Sequence, residues 1–223
     1  MGKVKLFITK TVGKNRELFL HSFLALTIRG LAAIASFVMN IVVSRKLGAT
    51  EAGYFFLALA FITVFSNITR LGTDNAIIRF ISVYSKNKEW YKVNGALKAS
   101  IKYSVIASIV FALVTIGFSN FISSAIFSKP LLKGVLIFMT VAIPFTAVYN
   151  IYGFAFQAIK KVIFSVLFLN VIVPVLVILA VVFLKPGKAE SLGWMYLGTT
   201  IIAVVLAFFF RGGSSFPAHI TSI

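Results

Sequence analysis

Residues 26–61 read LTIRGLAAIASFVMNIVVSRKLGATEAGYFFLALAF, two apolar runs divided by the short polar turn Arg45-Lys46-Leu47-Gly48. A helix needs about 20 apolar residues to cross a hydrocarbon core about 30 Å thick. The first run, 22–44, meets that length and is interrupted only by Arg29; the second, 52–68, sits at its short end. Two spans joined by one tight turn form a transmembrane hairpin, and the same pattern continues along the chain.

Outward from this hairpin, uncharged runs predict four more helices at 102–126, 133–159, 162–184 and 191–210. Most connections are short and polar: Ser128-Lys129-Pro130, Lys160-Lys161, and Lys185-Pro186-Gly187-Lys188. One is longer, 69–101, and within it residues 74–84 alternate apolar and polar in the manner of an interfacial helix. The expected organisation is a basic N-terminal segment at 1–21, a six-span membrane lobe at 22–210 and a short polar tail at 211–223. The fold class is all-α, a polytopic membrane helix bundle.

Composition agrees. The chain is 60% hydrophobic and 12% charged over 223 residues, with a mean hydropathy of +1.01. A soluble domain is about 45–50% apolar and about 25% charged, so this excess has no soluble core to occupy. The net charge of +17 raises nucleic acid as a partner. Its bases, however, lie in short clusters between long uncharged runs, where they fix topology and meet anionic headgroups. The expected partner is the lipid bilayer, with no nucleic acid. There is no cysteine, and the two histidines, His21 and His219, stand far apart. Disulfides, thiolate chemistry and a histidine metal site are set aside, and no cofactor is expected.

The start, with Lys3, Lys5, Lys10, Lys14 and Arg16 before an apolar run, has the layout of a secretory signal, and Ala33-Ile34-Ala35 mimics a cleavage site. Arg29 breaks that run and hydrophobicity continues to Val43, which fits a retained anchor better than a cleaved segment. With the N-terminus inside, the inner segments carry fifteen Lys and Arg and the outer loops six. Basic residues favour the cytoplasmic side, so both termini are expected in the cytoplasm, with the chain in the cytoplasmic membrane.

Polar residues within the spans are the candidate functional groups. A charge at mid-membrane costs about 2.5–3.5 kcal/mol on the lenient insertion scale. At 100° per residue Arg29 shares one face of span one with Ser22, Ala33, Ser36, Asn40 and Ser44, opposite Leu31, Ile34, Val38 and Ile41. On one reading the stripe lines a cavity where Arg29 receives a phosphate or carboxylate. On the other, small residues pack against a neighbour while Arg29 snorkels to a headgroup. Pro144 and Pro174 lack the amide that would bond Thr140 and Asn170 one turn earlier. They are hinge candidates, or static kinks. Asn150 and Asn170 join Ser36 and Asn40 as candidate lining, with Thr63, Ser66, Asn67 and Gln157 as further polar positions; interhelical hydrogen bonds are the alternative use.

The acids Glu17, Glu51, Asp74, Glu89 and Glu190 all lie at span ends or in loops. A cation-coupled exporter of cationic drugs usually needs an intramembrane carboxylate; an arginine favours an anionic cargo. No G-x-x-x-x-G-K-[ST], H-E-x-x-H or G-x-S-x-G pattern occurs, so no enzymatic activity is marked.

The stretch 26–61, followed by RLGTDNAIIRFISVYSKNK at 70–88, resembles the N-terminal half of the polysaccharide-biosynthesis flippases, the O-antigen and teichoic-acid exporters of the multidrug/oligosaccharidyl-lipid/polysaccharide superfamily. The carrying features are the R-x-L-G turn at Arg45–Gly48, the Gly53-Tyr54-Phe55 opening of span two and the Leu-Gly-Thr-Asp … Ile-Arg-Phe segment. The resemblance implies a two-lobed bundle of about six helices per lobe around a central cavity, moving a lipid-linked anionic saccharide outward by alternating access. It implies cationic cavity residues for the pyrophosphate or acidic sugars, in agreement with Arg29, and it adds Arg79 in the Ile-Arg-Phe segment as a substrate-binding candidate. Relatives carry twelve to fourteen spans, so this chain is expected to supply one lobe. The second comes from a homodimer, a separate polypeptide or a missing C-terminal half. Competing expectations are half of a cation-coupled multidrug exporter and a truncated, non-functional membrane protein.

Overall fold

The computed structural model describes residues 2–70 and 72–211, with side chains from Leu26 onward. The side chains of the basic segment 1–21 and of the start of span one, and tail residues 212–223, lie outside the described residues. Every described element is helical. They are α1 (Gly2–Thr69), α2 (Thr73–Lys86), α3 (Trp90–Gly117), the short α4 (Ser119–Phe121) with a π-turn at Ile122–Ile126, α5 (Leu132–Val141) and α6 (Ile143–Ala158). Then come α7 (Val162–Val166), a second π-turn (Leu167–Val171), α8 (Ile172–Leu184) and α9 (Ala189–Phe210).

Among the described residues four stretches are long and apolar enough to cross a membrane: Leu26–Thr69, Trp90–Gly117, Val162–Leu184 and Ala189–Phe210. The pair Leu132–Val141 and Ile143–Ala158, bent by 45°, makes a fifth. The first stretch has 44 residues, about 66 Å if straight at 1.5 Å per residue and twice the bilayer core. It is not straight. Gly48 has φ 79 and ψ 168, a backbone shape that glycine adopts without penalty, and it separates two helical halves. Ser36 and Arg70 line one cavity, although a continuous helix would hold them about 50 Å apart. The halves therefore fold back on each other as a hairpin.

The expected helix at 102–126 begins earlier, at Trp90, and ends at Gly117, with α4 and a π-turn after it. Lys92, Lys98 and Lys102 mask its first turns in a hydropathy reading, while Val93 and Leu97 bury the inner face of those turns. The expected connection 69–101 is accordingly helical for most of its length. Its part α2 seals Ile77 and Ile81 inward against α3 and α6, and the Ser82 hydroxyl donates to Ala158 O at 3.1 Å.

Packing pairs α3 with α6, α5 with α9 and α1 with α8. The core between them is filled by Phe55, Ile62, Leu136, Met139, Ile143, Phe156 and Phe168. Lipid tails are as apolar as these side chains, so association depends on close fit and on polar ties more than on water release. Gly153 supplies such a fit: a Cβ there would stand 2.7 Å from Leu169 Cγ.

Polar ties gather at the two ends of the bundle. At the Gly48 end, the Glu51 carboxylate accepts the Ala189 amide at the start of α9 (2.7 Å), and Lys129 lies 5.7 Å from the Tyr54 ring centre. At the Arg70 end, Arg211 donates to Asn94 and, at 3.4 Å, to the Tyr152 hydroxyl, joining α9 to α3 and α6. Successive long helices thus run up and down between two consistent ends.

Candidate functional site

A groove of about 450 Å³ opens on one side of the bundle. Span one contributes Ser36, Met39 and Asn40, and the second half of α1 contributes Thr63, Ser66, Asn67 and Arg70. From α6 come Thr146, Tyr149 and Asn150; the second π-turn and α8 add Asn170 and Pro174, and α9 adds Tyr196. A neighbouring hollow of about 410 Å³ holds Arg29, Ala32 and Ala33 and shares Ser36 and Asn170 with the groove. Another, of about 650 Å³, shares Asn40 and Thr63 and reaches Phe56, Ala60 and Val64. Together they form one furrow along the α1 hairpin. Arg29 and Arg70 lie about 28 and 33 Å of helix away from Gly48, so both guanidinium groups stand toward the same end. Toward Gly48 the lining is mainly apolar, with Met39, Phe56, Leu59 and Ala60 around the Asn40 amide.

Two breaks in helical order expose polar groups to this furrow. At the first, Pro144 stands second in α6, where a missing amide is tolerated. The 45° bend before it is closed by the Ala142 amide on Met139 O (3.1 Å) and by the Thr146 amide and hydroxyl on Ala142 O, both at 2.9 Å. The bend leaves one mark: Thr140 Oγ1 is buried without a hydrogen-bond partner. At the second, Pro174 cannot bond Asn170 O, and the chain answers with the π-turn Leu167–Val171. Such turns are frequent at functional sites, and this one carries Leu169 and Asn170 into the lining.

Arg70 is the most constrained polar residue of the furrow. It is 6% exposed. Its Nε donates to both carboxylate oxygens of Asp74, at 2.8 and 3.0 Å. Nη2 donates to Asn67 Oδ1 at 2.5 Å and Nη1 to Ser66 Oγ at 3.4 Å, while the Phe154 ring centre lies 5.8 Å away. Behind the pair, the Ser108 hydroxyl donates to Thr69 Oγ1 at 3.2 Å, and Thr73 and Ser104 exchange a 3.4 Å contact.

The furrow collects Ser36, Asn40, Asn150, Asn170 and Pro174, together with Thr63, Ser66 and Asn67, and Arg29 lies in the adjoining hollow. Pro144 stands at the bend and outside the lining, and Gln157 is exposed elsewhere. Arg79 sits on the exposed side of α2, away from the furrow. The inward face of span one centres on Ala32, Met39 and Val43, so the Arg29–Ser36–Asn40 stripe is the flank of the buried face, while Leu31, Ile34 and Phe37 point outward. Sequence reasoning missed Arg70, Thr146, Tyr149 and Tyr196. Arg70 reads as one more juxtamembrane base; the available signal was Asp74 four residues on, the spacing of a helical ion pair.

Arg29, Asn40, Thr63, Asn67 and Asn170 are exposed in the single chain. Against acyl chains an arginine costs about 2.5–3.5 kcal/mol, and the amides of Asn40 and Asn170 add to that. No Asp or Glu lines any of the three hollows. The arrangement is a cationic, hydrogen-bonding track with one open flank.

No curated protein and no solved structure matches the chain. A family model described as polysaccharide biosynthesis protein matches residues 20–222, which include α1 from residue 20, all of α2 to α9 and both guanidinium-bearing segments of the furrow. This multi-pass membrane protein therefore belongs to the polysaccharide biosynthesis protein family.

Proposed function

We propose that the chain is one lobe of a flippase-type transporter that carries lipid-linked anionic saccharides across the cytoplasmic membrane, without catalysing a reaction. The observation carrying this reading is the furrow, which is cationic at one end, lined by asparagine, serine and threonine, free of carboxylates and mainly apolar around Asn40 toward Gly48. Guanidinium groups suit the phosphates or acidic sugars of the cargo, the amides suit its hydroxyls, and the apolar walls suit a polyprenyl tail. The lack of lining acids disfavours a cation-coupled drug exporter, whose cargo needs an anionic partner.

In this reading the break at Gly48 divides α1 into two spans and the bent α5–α6 pair is one, giving six crossings with both ends in the cytoplasm. A second lobe covers the open flank, supplied by another copy or by a further polypeptide segment, because exposed Arg29, Asn40 and Asn170 are costly against lipid. Pro144 and Pro174 are the positions where the lobe bends as access alternates. The test is uptake of a fluorescent lipid-linked oligosaccharide into the inner leaflet of reconstituted vesicles. Wild-type protein, with whatever second lobe it requires, moves the cargo. Arg29→Gln and Asn170→Leu slow it by about tenfold, the effect of losing one charge-assisted or buried hydrogen bond. Undiminished movement in both variants removes the furrow as the path.

A further inference from the structure

The ion pair at the inner end of the furrow has a geometry of its own. Asp74 grips Arg70 side-on, through Nε alone, at 2.8 and 3.0 Å. The Nη1–Nη2 edge, which binds phosphate or carboxylate in the two-point manner, is not taken by an acid. It holds only Asn67 and, at a long 3.4 Å, Ser66, both of which also line the furrow. A guanidinium has five N–H donors; three are engaged by Asp74, Asn67 and Ser66, which leaves one N–H on each of Nη1 and Nη2 for a ligand. Arg70 lines the furrow, whereas Asp74 does not. With side chains 7% and 24% exposed, the two charges are poorly screened by water.

We propose that Arg70 is a second anion-receiving group of the furrow and that Asp74 is a positioning residue that weakens its grip. The inference rests on the furrow reading above. A bare buried guanidinium would hold a diphosphate tightly and release it slowly. A carboxylate fixed at Nε cancels much of that charge while leaving the two-point edge in place. A carrier needs such a compromise, since a site must be attractive enough to fill and weak enough to empty. The link is also mechanical. Arg70 follows the last turn of α1, Asp74 lies in the first turn of α2, and between them Gly72 has φ 71, so the pair also fastens the surface helix to the furrow.

The experiment uses the full chain, with whatever second lobe it requires, in phosphatidylcholine nanodiscs with two probes, a polyprenyl diphosphate without sugar and inorganic diphosphate. Asp74→Asn should bind the polyprenyl diphosphate about tenfold tighter than wild type, as expected for removing a charge beside a buried cation. Asp74→Ser, a second neutral replacement, should move affinity in the same direction, and Asp74→Glu should stay near wild type. Arg70→Gln should lose about tenfold, and adding Asp74→Asn to it should change nothing more. Tightening toward both probes identifies a phosphate site indifferent to the lipid; tightening toward the polyprenyl probe alone identifies a lipid-borne diphosphate site. Both outcomes support the proposal. If wild type binds and the neutral variants bind equally or more weakly, Asp74 is only a tether and the proposal is overturned, while the furrow reading stands. If unfolding midpoints show that neither neutral variant folds, Asp74 is again a tether and the proposal falls. If no protein binds either probe, the furrow reading falls and takes the proposal with it.

Discussion

Replacing Gly153 with alanine sets two calculable effects against each other. Gly153 lies in the interior of α6, where helix propensity alone makes alanine better by about 0.8–1.0 kcal/mol. The added methyl would lie 2.7 Å from both Cγ and Cδ2 of Leu169, about 1 Å inside the ordinary carbon–carbon separation. Leu169 cannot simply swing its tip away, because Cγ is as close as Cδ2, and it sits in the π-turn that also carries Asn170. Overpacking of this kind costs about 1–3 kcal/mol, so steric strain wins and Gly153→Ala should destabilise by roughly 1 kcal/mol net. The assay is thermal unfolding in detergent of Gly153→Ala, Leu169→Ala and the double variant. The cycle should show a coupling of about 1–3 kcal/mol, with Gly153→Ala becoming neutral or stabilising once Leu169 is shortened. A stability gain from Gly153→Ala alone, or a coupling near zero, would refute the close approach of α6 to the π-turn.

Two further outcomes test other parts of the bundle. Glu51→Gln should lower stability by about 0.5–1 kcal/mol, because the carboxylate that receives the Ala189 amide also faces the positive end of α9; an unchanged unfolding midpoint would mean that this tie contributes nothing. Thr140→Val keeps the shape of the side chain and removes a buried hydroxyl that has no partner. It should therefore raise stability by about 1 kcal/mol, and a loss of that size would show that the hydroxyl is hydrogen-bonded at the bend.

The long apolar helices were legible because uncharged runs of that length are hard to place anywhere but in lipid, and the hairpin was legible because Arg45-Lys46-Leu47-Gly48 interrupts one such run with a glycine suited to the break. Hydropathy failed at the start of α3. There Lys92 and Lys98 sit among Val93 and Leu97, and only helical periodicity separates a basic face from a buried one. Of the residues that the furrow gathers, Ser36 and Asn40 stood out through the helical periodicity of span one, and Asn170 as the carbonyl that Pro174 leaves without an amide. Tyr149 and Tyr196 did not, since an aromatic within a span reads first as core. Arg70 was hidden by its position: at a span end a topology-setting base and a buried ligand-facing base look alike. Its fourfold engagement with Asp74, Asn67, Ser66 and Phe154 appears only once the chain has folded.

Transport along the furrow requires the polar flank of the α1 hairpin to meet water or cargo while its other side meets lipid. The chain has no cysteine, so single cysteines can be read without background in intact membranes, using a membrane-impermeant maleimide. Cysteines replacing Asn40, Thr63 and Asn170 should react readily, and those replacing Leu31, Ile34 and Phe37 should not. Inert furrow positions beside reactive ones at 31, 34 and 37 would place the polar flank against lipid and leave the furrow with no role in carrying cargo.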